Sequence, residues 1–230
     1  MTDTTYPADA SAATYLLTVR GTTVPPSLED TRVIHNATAG APQSAAGARS
    51  LGDLSHNVYA QCGTEQAGQL LFIDLWNSVS GLNTFFSNPQ VQAAAGELFA
   101  TRDGIVWSRL DGFGAYNLAL PNGRSVGAVG MIQVPVTSID DAASAFTAYA
   151  ATTINTARSY GMVSHSIWLR LPNPGEAPTQ ELIGVDTWMD ADRMNEYYEL
   201  SLGFEHFGPV FAGAPDTSVW QSAPGDWVEW

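Results

Sequence analysis

The chain has 230 residues and a formal net charge of −14, and all nine basic residues are arginine. Without a lysine, a Schiff-base lysine, a pyridoxal-phosphate lysine and a Walker phosphate loop are excluded. The acidic balance argues against phosphate-neutralising nucleic-acid binding and against docking on anionic membranes.

No apolar run approaches the ~20 residues that cross a bilayer. Met1–Ala13 lacks the basic and apolar regions of a signal peptide and reads as a frayed polar tail, so a cytoplasmic protein is expected. Tyr15–Thr22 is rich in strand formers and stops at Pro25-Pro26. Ser27, with Glu29 and Asp30 behind it, predicts a helix over Leu28–Ala39. Gly40, Pro42 and Gly47 predict loop plus a short helical turn over Ala41–Gly52. Strands are expected at His56–Cys62 and Leu70–Trp76, with the turn Gly63–Gly68 between them. Cys62 is the single cysteine, so it forms no intrachain disulfide, and a buried strand position is expected for it. Ser80 is expected to cap a helix through Phe86, which Asn88-Pro89 breaks and Val91–Ala100 resumes. Ile105–Leu110 closes the series.

The second half repeats the order. A strand at Val126–Val136, a long helix Ile139–Tyr160 behind Ser138, a strand Val163–Leu171, a hairpin loop at Asn173-Pro174-Gly175 and a strand Leu182–Trp188 are expected. Asp190 or Asp192 caps a helix through Glu199, and Val219-Trp220 opens the last strand. The residues repeat as well. Asp74, Trp76, Asn83, Phe99 and Ala100 return at one constant spacing as Asp186, Trp188, Asn195, Phe211 and Ala212. Gly52-x-x-Ser55-His56 returns as Gly161-x-x-Ser164-His165. The chain therefore reads as a tandem duplication of a unit of roughly 110 residues. Units at 14–113 and 124–230 are expected, joined by the linker 114–123. Each has the order βαββαβ of a ferredoxin-like fold. The expected class is α+β: two ferredoxin-like units forming an intrachain pseudo-dimeric barrel, antiparallel sheets inside and helices outside. A monomer with an internal pseudo-twofold axis and a homodimer both satisfy this pattern.

The run Leu71-Phe72-Ile73-Asp74-Leu75-Trp76, then Leu82, then Phe85-Phe86-Ser87-Asn88-Pro89-Gln90-Val91, resembles the antibiotic-biosynthesis-monooxygenase and stress-responsive α+β barrel superfamily. That resemblance implies oxygenases of quinols and polyphenols that use no cofactor, polyketide cyclases, haem-handling proteins or non-enzymatic stress proteins. It implies a small apolar or aromatic partner. In the cyclases a tyrosine near Tyr197 works with a histidine a few residues later. Here that later position holds Val91 in one half and Gly203 in the other, so the pair is not reproduced.

His56 and His165 are candidate proton shuttles, each opening a strand on an apolar face. Core histidines bonded to backbone are the structural alternative. Asp74 and Asp186 share a strand face with Trp76 and Trp188, which predicts a carboxylate of raised pKa beside an indole. The alternative is a buried, hydrogen-bonded aspartate with tryptophan as core. Asn83 and Asn195 are candidates to orient a substrate oxygen, and Trp76, Trp188, Phe85 and Tyr197 to hold a ring. One competent cavity, with His56 in it and His165 as a buried structural copy, is expected, because the irregular Ala41–Gly52 segment offers a lid beside His56. No metal motif or dinucleotide fingerprint stands out. Haem ligation by one histidine stays open. The leading expectation is an oxygenase or proton-transfer enzyme, such as a cyclase or isomerase, that uses no cofactor. A non-catalytic ligand-binding or haem-binding protein is the alternative.

Overall fold

Repetition in the sequence becomes repetition of strand order. In a computed structural model, residues 13–62, 68–110, 113, 116–117, 126–173 and 175–230 are described. The expected tail, most of the turn after Cys62, most of the connector 114–123 and Pro174 lie outside the described residues. Two compact units are present. One runs to Val106 and takes in Ser222–Trp230; the other is Trp107–Gln221. The division thus falls inside the last strand of each repeat, not at the connector as the spans 14–113 and 124–230 anticipate.

The first unit contains β1 (Tyr15–Thr23), α1 (Leu28–Ala37), α2 (Pro42–Ser50), β2 (Asp53–Gln61), β3 (Gln69–Trp76), α3 (Val79–Phe86), α4 (Pro89–Leu98) and the start of β4 (Phe99–Arg109). Its strand order is β4-β1-β3-β2, and β3 pairs antiparallel with both β1 and β2. The second unit contains β5 (Tyr116–Asn117), β6 (Ala128–Pro135), α5 (Ile139–Ser159), β7 (Met162–Arg170), β8 (Glu181–Trp188), α6 (Ala191–Glu199) and β9 (Asp216–Ser222). Its order is β9-β6-β8-β7, the same arrangement by position, again antiparallel.

Local chemistry explains most of the elements. Ser27, Ser138 and Asp190 cap α1, α5 and α6 by accepting backbone N–H bonds, as expected of N-cap residues. Two expectations change. Ser78, not Ser80, caps α3, because its Oγ accepts from the Gly81 N–H. The Ala41–Gly52 segment is a regular helix. Pro42 stands in its first turn, where a fixed φ helps and a missing N–H costs nothing, and Ala45 and Ala48 bury its inner face. Cys62 lies just past the end of β2 and is half-buried.

The repeated Gly-x-x-Ser-His motif now has a physical meaning. Gly52 (φ 106°) and Gly161 (φ 96°) both occupy backbone conformations that disfavour a Cβ. A β-bulge follows each, between Asp53 and Ser55 and between Met162 and Ser164. The extra residue re-aims the strand. It brings His56 opposite Asp74 and His165 opposite Asp186 in the pairing register.

Each unit has its own core. Leu28, Val58, Ala60, Leu70, Leu98 and Trp227 cluster in the first. Phe113, Val134, Ala142, Phe146, Ile167 and Phe207 cluster in the second. No helix among the described residues is long and apolar enough to cross a membrane.

Candidate functional site

The first unit places three titratable side chains in one hydrogen-bonded row. His56 Nδ1 lies 2.7 Å from Asp74 Oδ1, and His56 Nε2 lies 3.0 Å from His35 Nε2. His35 Nδ1 lies 3.0 Å from Asn36 Oδ1. The protons in this row are fixed from its far end. Asn36 Nδ2 donates to the Asp226 carbonyl and Asn36 Oδ1 accepts from the Val228 N–H, so the amide orientation is set. His35 Nδ1 must then carry hydrogen and donate to Asn36. A neutral His35 has a bare Nε2, so His56 Nε2 must donate to it. A neutral His56 consequently accepts at Nδ1, and the proton in that bond sits on Asp74. The only other arrangement is a charged pair, an Asp74 carboxylate beside a His56 imidazolium. Either way the Asp74–His56 pair holds one shared proton.

Burial decides between the two arrangements. His35 is fully buried, and His56 and Asp74 are each 5% exposed. Desolvation pushes the His56 pKa down to about 4, against a smaller opposing pull from Glu229. Desolvation, then the neighbouring His56, pushes His35 down to about 3. Desolvation holds Asp74 well above the carboxylate range. The neutral form, with the proton on Asp74, is therefore the resting state at neutral pH.

A cavity of about 310 Å³ opens against this row, lined by His56, Asp74, Asp53, Phe72, Asn83, Phe85, Phe86, Arg102 and Trp230 among others. Phe72 meets His56 edge-on, with ring centroids 5.1 Å apart, and Trp230 lies 4.8 Å from the same imidazole. Trp230 is anchored by backbone bonds to His56 in both directions and by its Nε1–H to Asp53 Oδ2 at 3.1 Å. Helix α2 contributes Ser44 and Ala48 to the wall. Asp74 Oδ2 makes no hydrogen bond among the described residues.

The second unit builds a related but altered site. His165 Nδ1 lies 2.6 Å from Asp186 Oδ1, and Tyr198 donates its hydroxyl to Asp186 Oδ2 at 3.0 Å. Phe146 stands by His165 where His35 stands by His56. Met162 takes the bulge position that Asp53 holds in the first unit. A cavity of about 280 Å³ is lined by His165, Asp186, Phe146, Tyr149, Tyr198 and Phe207 among others. So a cavity borders each histidine–aspartate pair, and His165, expected only as a buried copy, lines one as well. The long helix α5 lines the second cavity through Phe146 and Tyr149 without closing it. A Cβ on Gly130 would overlap the Tyr198 hydroxyl. We expect Gly130→Ala to expel that hydroxyl from Asp186 and cost about 1–3 kcal/mol. Denaturant unfolding of the variant checks it, and unchanged stability would show that Tyr198 is not confined there.

Solved structures share this fold at low sequence identity. An anthrone oxidase-like protein aligns with a TM-score of 0.61 and 15% identity over 93% of this chain and 94% of its own. A Lactobacillus acidophilus protein assigned as a monooxygenase aligns at 0.55 and 10%, over 90% and 93%. A mutant chlorite dismutase from Candidatus Nitrospira defluvii aligns at 0.55 and 12%, over 92% of each chain. The likeness to these chains is one of fold. No family model and no curated protein sequence matches it.

With the fold in place, the candidate residues sort by position. His56, Asp74, Asn83 and Phe85 stand together around the first cavity, and His165 and Asp186 around the second. Trp76 and Trp188 line neither. Both are fully buried, because each ends its strand beneath a helix: Trp76 under Phe85 and Phe86, Trp188 under Tyr197 and Tyr198. Asn195 is exposed and outside the second cavity, and the buried Tyr197 hydroxyl pairs with that of Tyr149 at 3.2 Å. Sequence reading missed His35, Asp53, Phe72 and Trp230. His35 had a signal: Leu28, Thr31 and His35 lie at helical spacing and are the buried residues of α1. No cluster of metal-ligating side chains is present among the described residues. His56 does not suit haem ligation, since both of its nitrogens are already engaged.

Proposed function

We propose that this chain is an enzyme that removes a proton from a hydroxyaryl or enolic substrate held in the first unit's cavity. Each unit is then a ferredoxin-like half of a pseudo-dimeric α+β barrel. The observation that carries the reading is the Asp74–His56–His35 row facing a ring-lined cavity, with one carboxyl oxygen of Asp74 making no hydrogen bond among the described residues. A substrate hydroxyl donates to Asp74 Oδ2. As Oδ2 takes that proton, Oδ1 passes its own to His56 Nδ1. The result is a substrate anion beside a protonated Asp74 and a His56 imidazolium, all in a site of low polarity where their attraction is strong. Phe72, Phe85 and Trp230 hold the ring, and Asn83 and Arg102 are placed for substrate oxygens.

The electron-rich anion leads to two outcomes. Reprotonation at another atom gives isomerisation or cyclisation. Attack by dioxygen at a benzylic CH₂ gives a carbonyl and water, with both oxygen atoms and four electrons accounted for. The likeness to an anthrone oxidase-like protein supports the oxygenase outcome as the first to assay.

The mechanism sets a pH profile. His56 must be neutral to receive the proton, so activity is present above its folded pKa and lost as pH falls through it. With that pKa lowered to about 4 by burial, kcat/KM stays flat from neutrality down to about pH 5. Oxygen uptake with a hydroxyanthrone substrate, measured against pH, is the experiment. An acid limb near the ordinary histidine value would contradict a buried acceptor, and no turnover of any hydroxyaryl compound would remove the reading.

A further inference from the structure

The two units differ at their carboxylates in one respect. Asp74 and Asp186 occupy the same register, and each holds a histidine through Oδ1. Asp74 Oδ2 makes no hydrogen bond among the described residues, whereas Asp186 Oδ2 accepts a phenol, that of Tyr198, at 3.0 Å. Phe86 is the counterpart of Tyr198 by position in the repeat. Across the neighbouring strand, Leu17 stands opposite Asp74 and Gly130 stands opposite Asp186. A Cβ at Gly130 would overlap the Tyr198 hydroxyl. Leu17 and Phe86 instead pack in one apolar cluster. The two differences are therefore one exchange: glycine makes room, and tyrosine fills it.

We propose that Tyr198 is a built-in ligand. Its phenol occupies, at Asp186, the place that a ligand hydroxyl takes at Asp74. The second unit thus carries a latent binding site for hydroxyaryl molecules, closed at its carboxylate. The ring space is still there: the cavity of about 280 Å³ beside Tyr198 is walled by Phe146, Tyr149 and Phe207. What it lacks is a carboxyl oxygen for an incoming hydroxyl. This inference rests on the reading of Asp74 given above.

Equilibrium dialysis of the full chain against 2-naphthol counts the sites. The wild-type chain binds one, lost in Asp74→Leu, which removes the acceptor oxygen, and kept in Asp186→Leu. Tyr198→Ala binds two, and adding Asp186→Leu to it returns the count to one. Naphthalene, which lacks the hydroxyl, binds the new site at least tenfold more weakly. Should Tyr198→Ala fail to fold, the reciprocal variant decides. Leu17→Gly with Phe86→Tyr carries the plug into the first unit and removes the wild-type site. One site in both the wild type and a folded Tyr198→Ala would overturn the latent site while leaving the reading of Asp74 standing. No site in the wild type but one in Tyr198→Ala would support the latent site and sink the reading of Asp74. Wild-type affinity in a folded Leu17→Gly/Phe86→Tyr chain would also overturn the proposal.

Discussion

Asp74→Asn should lower kcat by about 10²–10⁴-fold while KM changes little. The amide keeps the size of the carboxyl group and still fills the space beside His56. It cannot accept a proton at the oxygen facing the cavity, nor pass one to Nδ1. Ring contacts from Phe72, Phe85 and Trp230 are untouched, so binding survives and proton transfer does not. His56→Gln should give a loss of similar size, because the pair acts as one unit and its members are not additive. Asp186→Asn should leave kcat within about threefold, since a carboxylate with both oxygens engaged has none to offer a substrate. A chain in which Asp186→Asn is the dead variant would reverse the assignment of the two units.

Stability should fall as pH rises above neutrality, because Asp53 and, in the same direction, Asp74 keep protons in the fold that the unfolded chain releases. The Asp53 side chain is buried at 5% exposure and holds the Trp230 indole. Desolvation, then the nearby Asp74, pushes the Asp53 pKa up to about 9. The unfolded chain releases that proton near the ordinary aspartate value of 3.8. Between these values the native state binds one more proton than the unfolded state, so the free energy of unfolding decreases with pH. The slope is about 1.4 kcal/mol per pH unit for the one group, and it flattens above the folded pKa. Above about pH 7.5 His35 and His56 add little to this dependence. Their folded pKa values are lowered, so they cost stability mainly below about pH 6.5, where the unfolded imidazoles protonate and the buried ones do not. Urea unfolding at pH 6.5, 7.5 and 8.5 measures the slope, and Asp53→Asn should remove one proton's worth of it. An Asp53→Asn chain with the wild-type slope would show that Asp53 ionises freely in the native state.

Much of the framework can be read from local chemistry. Ser27, Ser138 and the broken helix at Asn88-Pro89 mark real helix ends, and the constant spacing of Asp74 and Asp186 marks equivalent strand positions. The Gly-x-x-Ser-His repeat points to both histidines, although it takes the backbone to show that glycine supplies the positive φ and the next residues a bulge. Helix α2 was obscured because Gly40, Pro42 and Gly47 read as breakers. Yet Pro42 sits at the helix start, and a side chain at Gly47 would meet nothing within 4 Å. The rest depends on contacts between residues far apart in the chain. Trp230 reaches His56 and Asp53 only because the C-terminal segment joins the first unit. The exchange of Leu17 and Phe86 for Gly130 and Tyr198 is visible only once strand register shows which residues face each carboxylate.

The measurement closest to the central claim is the absorption spectrum of bound 4-nitrophenol, whose anion and neutral form absorb at different wavelengths. At any one pH the bound probe should carry a larger phenolate fraction in the wild-type chain than in Asp74→Asn, because Asp74 and His56 take the proton together. Asp186→Asn should leave the wild-type fraction unchanged. Equal phenolate fractions in the wild type and in Asp74→Asn would contradict the account.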